Sequence, residues 1–205
     1  MQDTLEVRWF IEGTPPTSVV EWIEALGATR ESARTDLYLV SDDPAMNVKL
    51  REGQVQTKHR MGSPSPVDFP GGVSGQQERW VKWGFPTEEQ HHDLFDDDPT
   101  GLWVPVNKER RRLSVSPEAQ ADLLDHLIES DPVEAKIELT EVTSGEHEAW
   151  TICVESEGRP DALPGTLQQM GRHFFQQGTP PALSVDDSYG YARWIHTLAA
   201  DATTA

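Results

Sequence analysis

Long cationic side chains recur at alternate positions in short stretches of this chain. Lys49 and Arg51 stand two residues apart, as do Lys58 and Arg60, and Lys108, Arg110 and Arg112 extend the same spacing. Lys82 lies between Val81 and Trp83. On a β-strand, residues two apart share a face, so each set points one way while Val48 and Leu50, for example, point the other. Two further stretches add carboxylates. Lys136 and Glu138 alternate against Ile137 and Leu139, and Glu155 and Glu157 lie opposite Ile152 and Val154. Ammonium and guanidinium groups gathered this way grip several negative charges at once, because guanidinium donors match the oxygens of phosphate and carboxylate.

The charge balance makes that gathering informative. The chain has 205 residues, with 17 Lys+Arg against 35 Asp+Glu and a formal net charge of −18. Ten of the 17 basic residues nevertheless fall between Lys49 and Arg112, with Arg79 and Arg111 among them. The solvated back of an open sheet produces the same alternation on any one strand. Over six strands of so acidic a protein, a plain solvent face should be mostly acidic. A closed or nearly closed sheet with a cationic lumen accounts for the segregation better, with helices and loops over its apolar outer face. Unpaired buried cations are costly, so such a lumen must hold water or an anion. A small polyanion such as a polyphosphate is the natural guest.

The elements that must position these side chains are legible in outline. Leu5, Val7, Trp9 and Ile11 alternate with Glu6, Arg8 and Phe10, which predicts a first strand. Ser18 is placed to cap a helix carrying Val19, Val20, Trp22, Ile23 and Leu26, with Gly27 as its stop. Strands are predicted over 34–40, 47–51 and 54–60, the last two joined at Glu52-Gly53 as a hairpin. A Gly/Ser/Pro-rich loop is expected from Gly62 to Gly75, then a short strand over 79–84 and a long one over 102–115. The stretch Ser116-Pro117-Glu118 opens a helix with Leu123, Leu124, Leu127 and Ile128. Strands follow over 135–142 and 149–156, then a helix over 163–175 with Leu167, Met170, Phe174 and Phe175. A final strand or helix covers 188–198, where Tyr189, Tyr191, Arg193 and Trp194 could close or plug the sheet. Strands in runs with helices toward the ends predict an α+β fold, as one domain over 1–205.

Composition removes several alternatives. One cysteine, Cys153, cannot form an internal disulfide. No apolar run approaches the ~20 residues of a membrane span, and the acidic N-terminus lacks the features of a signal peptide. A cytoplasmic protein with no membrane or general nucleic-acid partner is the expectation. The acidic surface equally suits a high-salt habitat. His91, His92 and Asp93 with Asp96, Asp97 and Asp98 read as a solvated acidic loop rather than a cation site. Trp80, Trp83, Trp103 and Trp150 read as wall packing, and Cys153, aimed into the lumen without an activating His, is not expected to be a nucleophile.

The segments Leu5 to Phe10, Thr35 to Val40, Val48 to Gly53, Thr57 to Arg60, Lys136 to Val142 and Trp150 to Glu157 together resemble, in order and spacing, the CYTH-like or triphosphate tunnel superfamily. The resemblance implies an eight-stranded antiparallel tunnel-like β-barrel with a few flanking helices. It implies that Lys49, Arg51, Lys58, Arg60, Lys82, Arg110 and Arg112 hold phosphate, and that Glu6, Glu138, Glu155 and Glu157 hold Mg2+ or Mn2+. A metal-dependent triphosphatase, with water as nucleophile, is the activity it suggests. The superfamily's first-strand signature, Glu-x-Glu-x-Lys, reads here as Glu6, Arg8 and Phe10. A cation replaces the second carboxylate, so Arg8 joins the ligand-binding candidates. A non-catalytic anion-binding module on the same fold, and an open sheet that docks a protein partner through its basic strip, are the other readings.

Overall fold

A computed structural model describes residues 2–87, 101–116 and 133–204, the side chains of the last few residues excepted. The helix expected after Ser116 and the His91–Asp98 acidic segment lie outside the described residues. Ten strands are described: β1 (Gln2–Glu12), β2 (Thr29–Arg30), β3 (Arg34–Leu39), β4 (Met46–Arg51), β5 (Gln54–Arg60), β6 (Ser65–Phe69), β7 (Val73–Pro86), β8 (Trp103–Val115), β9 (Glu134–Ser144) and β10 (His147–Glu157). Three helices accompany them: α1 (Thr17–Ala25), α2 (Leu163–Phe175) and α3 (Tyr191–Thr204).

Eight of the strands close into an antiparallel barrel. The order is β1-β10-β9-β8-β3-β4-β5-β7, and β7 pairs back to β1, with Glu78 opposite Glu6 and Lys82 opposite Gln2. Strands β2 and β6 attach outside the ring, on β8 and β7. Closure leaves the ring with no edge and sends alternate side chains inward and outward. The hairpin between β4 and β5 turns at Glu52 and Gly53, with φ of 49° and 70°. Two successive positive φ values match the strand twist.

The outward side chains of β1, β9 and β10 form the main core. Val7, Trp9, Ile137, Leu139, Ile152 and Val154 are fully buried there, beneath Trp22 and Ile23 of α1 and Leu167, Met170, Phe174 and Phe175 of α2. Trp9 meets Phe175 edge-on at 5.9 Å, and Trp22 stacks on Phe175 at 5.7 Å. Each such side chain contributes roughly 1.5–3 kcal/mol by leaving water.

A second cluster closes one end of the lumen. Phe10, on the inward face of β1, stacks on Trp194 at 5.3 Å and on Tyr189 at 5.2 Å. Tyr191 stacks on Tyr38 at 5.4 Å. Val106, Val142, Ile195 and Leu198 complete the cluster. The C-terminal segment is therefore a helix that plugs the barrel, and Phe10 is its seat.

Two expectations need correction. Ser18 does not cap α1: the N-cap is Pro16, without a side-chain cap, while the stop at Gly27 stands, with φ of 100°. The stretch from Gly62 to Gly75 is not a loop throughout. It contains β6 and the start of β7, which runs 14 residues. Gly75 interrupts the side-chain alternation because the strand passes so close to β1 that a Cβ there would lie 2.6 Å from Val7 Cγ1 and 2.7 Å from Trp9 Cζ2. The glycine that reads as a loop residue is a close-packing residue inside a strand.

Candidate functional site: a cationic lumen

Each barrel strand sends polar residues into the lumen. Glu6 and Arg8 come from β1, Arg34 and Tyr38 from β3, and Lys49 and Arg51 from β4. Lys58 comes from β5 and Trp80 and Lys82 from β7. Strand β8 supplies Lys108, Arg110 and Arg112, β9 supplies Lys136 and Glu138, and β10 supplies Glu155. They enclose a cavity of about 150 Å3, floored by Tyr191 and Ala192 of the plug. Ten cations thus face three carboxylates across one cavity, in a protein of net charge −18.

The carboxylates are already engaged. Arg8 Nη2 donates to Glu138 Oε1 at 2.8 Å, and its Nη1 donates to Thr151 Oγ1 at 2.9 Å. Arg110 adds a longer contact to Glu138 at 3.5 Å and also donates to Glu31. Burial pushes the Glu138 carboxyl up, but the Arg8 and Arg110 guanidiniums outweigh it and hold it well below the usual carboxylate range. Lys58 Nζ donates to Glu6 Oε2 at 2.8 Å and lies 3.9 Å from Glu155. Glu6 and Glu155 together outweigh burial and raise the Lys58 pKa.

A second constellation lies near the plug. Asp36, fully buried, has Lys108 Nζ at 3.1 Å, Lys49 Nζ at 3.2 Å and Arg34 Nε at 3.2 Å. Lys108 Nζ also donates to Tyr38 Oη at 2.6 Å and sits 3.8 Å over the Tyr191 ring. One carboxylate cannot neutralise three cations. Burial accordingly lowers Lys49 to about 8 despite Asp36, and burial with Lys49 nearby lowers Lys108 well below its ordinary value. Burial also raises the Asp36 pKa, but Lys108, Lys49 and Arg34 overcome it and hold Asp36 low.

Of the cations singled out in the sequence, Arg8, Lys49, Arg51, Lys58, Lys82, Arg110 and Arg112 line the cavity. Arg60 does not. Its Nη1 donates to Glu78 Oε1 at 2.7 Å, and it borders a separate recess with Pro44, Pro64 and Arg193. Of the four glutamates, Glu6, Glu138 and Glu155 line the cavity. Glu157 lies off it, accepting from Lys136 at 2.9 Å and Lys82 at 3.3 Å. Arg34, Asp36 and Tyr38 were not singled out, although they alternate on one strand as the other sets do. Lys108 and Lys136 stand on the inward faces already read from spacing. Cys153 faces Arg8 across the β1–β10 pair and is fully buried.

The residues present do not fit a divalent metal. Hard cations take carboxylate oxygens, yet a guanidinium occupies Glu138 and an ammonium occupies Glu6. Among the described residues no three His, Cys, Asp or Glu side chains converge as a metal-holding group.

No helix among the described residues is long and apolar enough to cross a membrane. No protein-family model and no curated protein matches the chain. Among solved structures, the PH1819 protein of Pyrococcus horikoshii OT3 aligns over 95% of this chain and 98% of its own, at 13% identity and a TM-score of 0.45. A conserved hypothetical protein of Pyrococcus furiosus aligns over 93% and 98%, at 9% identity and a TM-score of 0.44. The PH1012 protein of Pyrococcus horikoshii OT3 aligns over 92% and 94%, at 13% identity and a TM-score of 0.42.

Proposed function

We propose that this protein binds a small polyanion, a triphosphate-containing or similarly phosphorylated compound, inside the barrel. The observation that carries the reading is the cation surplus: ten Lys and Arg line the cavity with Glu6, Glu138 and Glu155, and Asp36, Glu31 and Glu157, set behind the wall, offset only part of the rest. After those carboxylates are paired, Arg51 Nε and Arg8 Nε remain buried without a hydrogen-bond partner. Buried cationic donors left this way cost stability, and a multiply charged guest reverses that cost. The guest's oxygens accept from Arg34, Arg51 and Arg112 on one wall and from Lys49 and Lys108 near the plug. A cavity of this size, closed at one end by Tyr191 and Trp194, suits a compact anion rather than a nucleic-acid chain. The order of the strand segments, which resembles the triphosphate tunnel superfamily, supports the same ligand class.

Binding, rather than hydrolysis, is the activity the geometry favours, because Glu6 and Glu138 are committed to Lys58 and Arg8. The test is calorimetry with tripolyphosphate and nucleoside triphosphates, run beside a phosphate-release assay with Mg2+ or Mn2+. Binding without release is the expected result. Release would restore the triphosphatase reading, and absence of binding would overturn the polyanion reading. The open sheet that docks a partner through its basic strip is already excluded by closure of the barrel, which turns that strip inward.

A further inference from the structure

We infer that the lumen takes its polyanion free of metal, with Arg8 supplying the positive charge that a bound divalent cation would otherwise bring; this rests on the polyanion reading above. Arg8 is only 6% exposed and sits on the lumen wall beside Glu6 and opposite Cys153 in the β1–β10 register. Its guanidinium is held on three sides. Nη2 donates to Glu138, Nη1 donates to Thr151, and the ring of Tyr191 lies 4.9 Å from Cζ. A side chain fixed this way is a built-in counter-charge. Its Nε is buried with no hydrogen-bond partner.

The other carboxylates offer a metal little. Lys58 holds Glu6 at 2.8 Å, and Lys82 and Lys136 hold Glu157 off the cavity. Glu155, with Lys58 at 3.9 Å, is the one described lining carboxylate without a hydrogen-bonded cation, and a single carboxylate makes a poor site for a hard divalent ion. A divalent ion entering beside Glu6 and Glu138 meets Arg8 and Lys58 within contact range of the same oxygens, and like charges at that distance repel strongly in a partly dry cavity. The ion would also have to break two charge-assisted hydrogen bonds. The wall, in contrast, has charge to spare for the guest. A polyphosphate chelated by Mg2+ carries two fewer negative charges than the free anion, so it makes a poorer match to this surplus. The sign is therefore definite: divalent metal weakens binding by sequestering the ligand.

Two measurements test this on the full chain. In the first, tripolyphosphate is titrated calorimetrically in chelator and again in excess Mg2+. The expected result is binding in chelator and an affinity several-fold lower in Mg2+. Binding that requires Mg2+, or is strengthened tenfold by it, overturns the inference while leaving the polyanion reading intact. No binding in either condition overturns both. In the second, Mn2+ is titrated into the ligand-free protein and followed by electron paramagnetic resonance. The wild-type chain should leave the Mn2+ signal unchanged at concentrations where an Arg8→Glu variant, confirmed folded by circular dichroism, reduces it. A tight Mn2+ site in the wild-type chain that Glu138→Gln removes overturns the inference without reference to any anion. Arg8→Lys keeps the charge and should retain metal-free binding; a Mg2+ requirement appearing in that variant would also count against Arg8 as described.

Discussion

Lys49 Nζ stands 3.2 Å from Asp36 Oδ2, and the same oxygen lies 3.1 Å from Lys108 Nζ. Two ammonium groups thus lean on one carboxylate oxygen, and burial lowers Lys49 to about 8. Between that value and the ordinary lysine range, the unfolded chain binds a proton that the folded chain has lost, so this group's contribution to stability rises with pH across the window. A bound anion favours the charged form instead. Polyanion affinity should therefore fall as pH rises through about 8, by about tenfold for each ammonium lost, or ~1.4 kcal/mol. Calorimetry at pH 8 in buffers of different ionisation enthalpy should show proton uptake on binding.

At the acid end the slope has the same sign, because there too the unfolded chain binds protons that the folded chain has lost. Asp36 and Glu138 have folded pKa values held low by their cations, so their contribution is fully present above the ordinary carboxylate range and is lost as pH falls through it. Urea midpoints measured from pH 7 down to pH 3 should decline steeply below about pH 4.5, near the ordinary carboxylate values. A midpoint that stays level would contradict the ion-paired arrangement.

Arg51 and Arg60 should separate binding from stability. Arg51 lines the cavity, and its Nε lies 3.4 Å from Glu52, whose side chain is largely exposed. Arg51→Ala should lower polyanion affinity about tenfold or more, since a charged hydrogen bond contributes ~1.5–3 kcal/mol, with the denaturation midpoint nearly unchanged. Arg60→Ala leaves Glu78 buried without its guanidinium. That variant should lose about 1–3 kcal/mol of stability and bind nearly as well as the wild type. Equal loss of binding in both would remove the distinction between the cavity and the Arg60 recess.

Cys153 reports on opening of the barrel. Its thiol is 1% exposed, and burial raises its pKa well above the ordinary value although Arg8 opposes that rise. Native protein should react with a thiol reagent at a rate set by unfolding, and denaturant should accelerate the reaction. Rapid labelling of native protein would show a lumen more open than described.

Trp194 tests the plug. Its ring stacks on Phe10 and meets Tyr191 edge-on at 6.2 Å. Trp194→Ala should cost about 3 kcal/mol, within the range for large aromatic truncations, read from urea unfolding. Near-ultraviolet circular dichroism should change as the stacked aromatic cluster loosens.

Sequence periodicity was a good guide to the barrel because strand alternation is local. Lys49 with Arg51, and Lys108 with Arg110 and Arg112, each declare a shared face from spacing alone. What spacing cannot carry is the partner across the ring. Arg60 has the same periodicity as Lys58, yet Glu78 on the neighbouring strand claims it, and only the β5–β7 register shows this. Asp36 was passed over because one carboxylate on a strand resembles a solvated one. Its significance arises only when β4 and β8 bring Lys49 and Lys108 to it. Phe10 breaks the polar alternation on the inward face of β1, and its role emerges only when α3 returns from the far end of the chain to stack on it. Strand β6 was hidden by Pro66 and Asp68 on its exposed side, although Val67 and Phe69 alternate inward to the core.

The separation of acid outside from base inside sets equilibrium and approach against each other. A diffusing polyanion first meets the far field of a body carrying −18, and only near the mouth does the inner wall dominate. Added salt screens the distant repulsion, whose reach is about 10 Å at 0.1 M, and it also screens the grip. Raising salt from a low level should thus hasten entry while hastening escape still more. The outer charge acts as a kinetic filter: it slows the arrival of every anion, and selectivity then resides in how long each one stays.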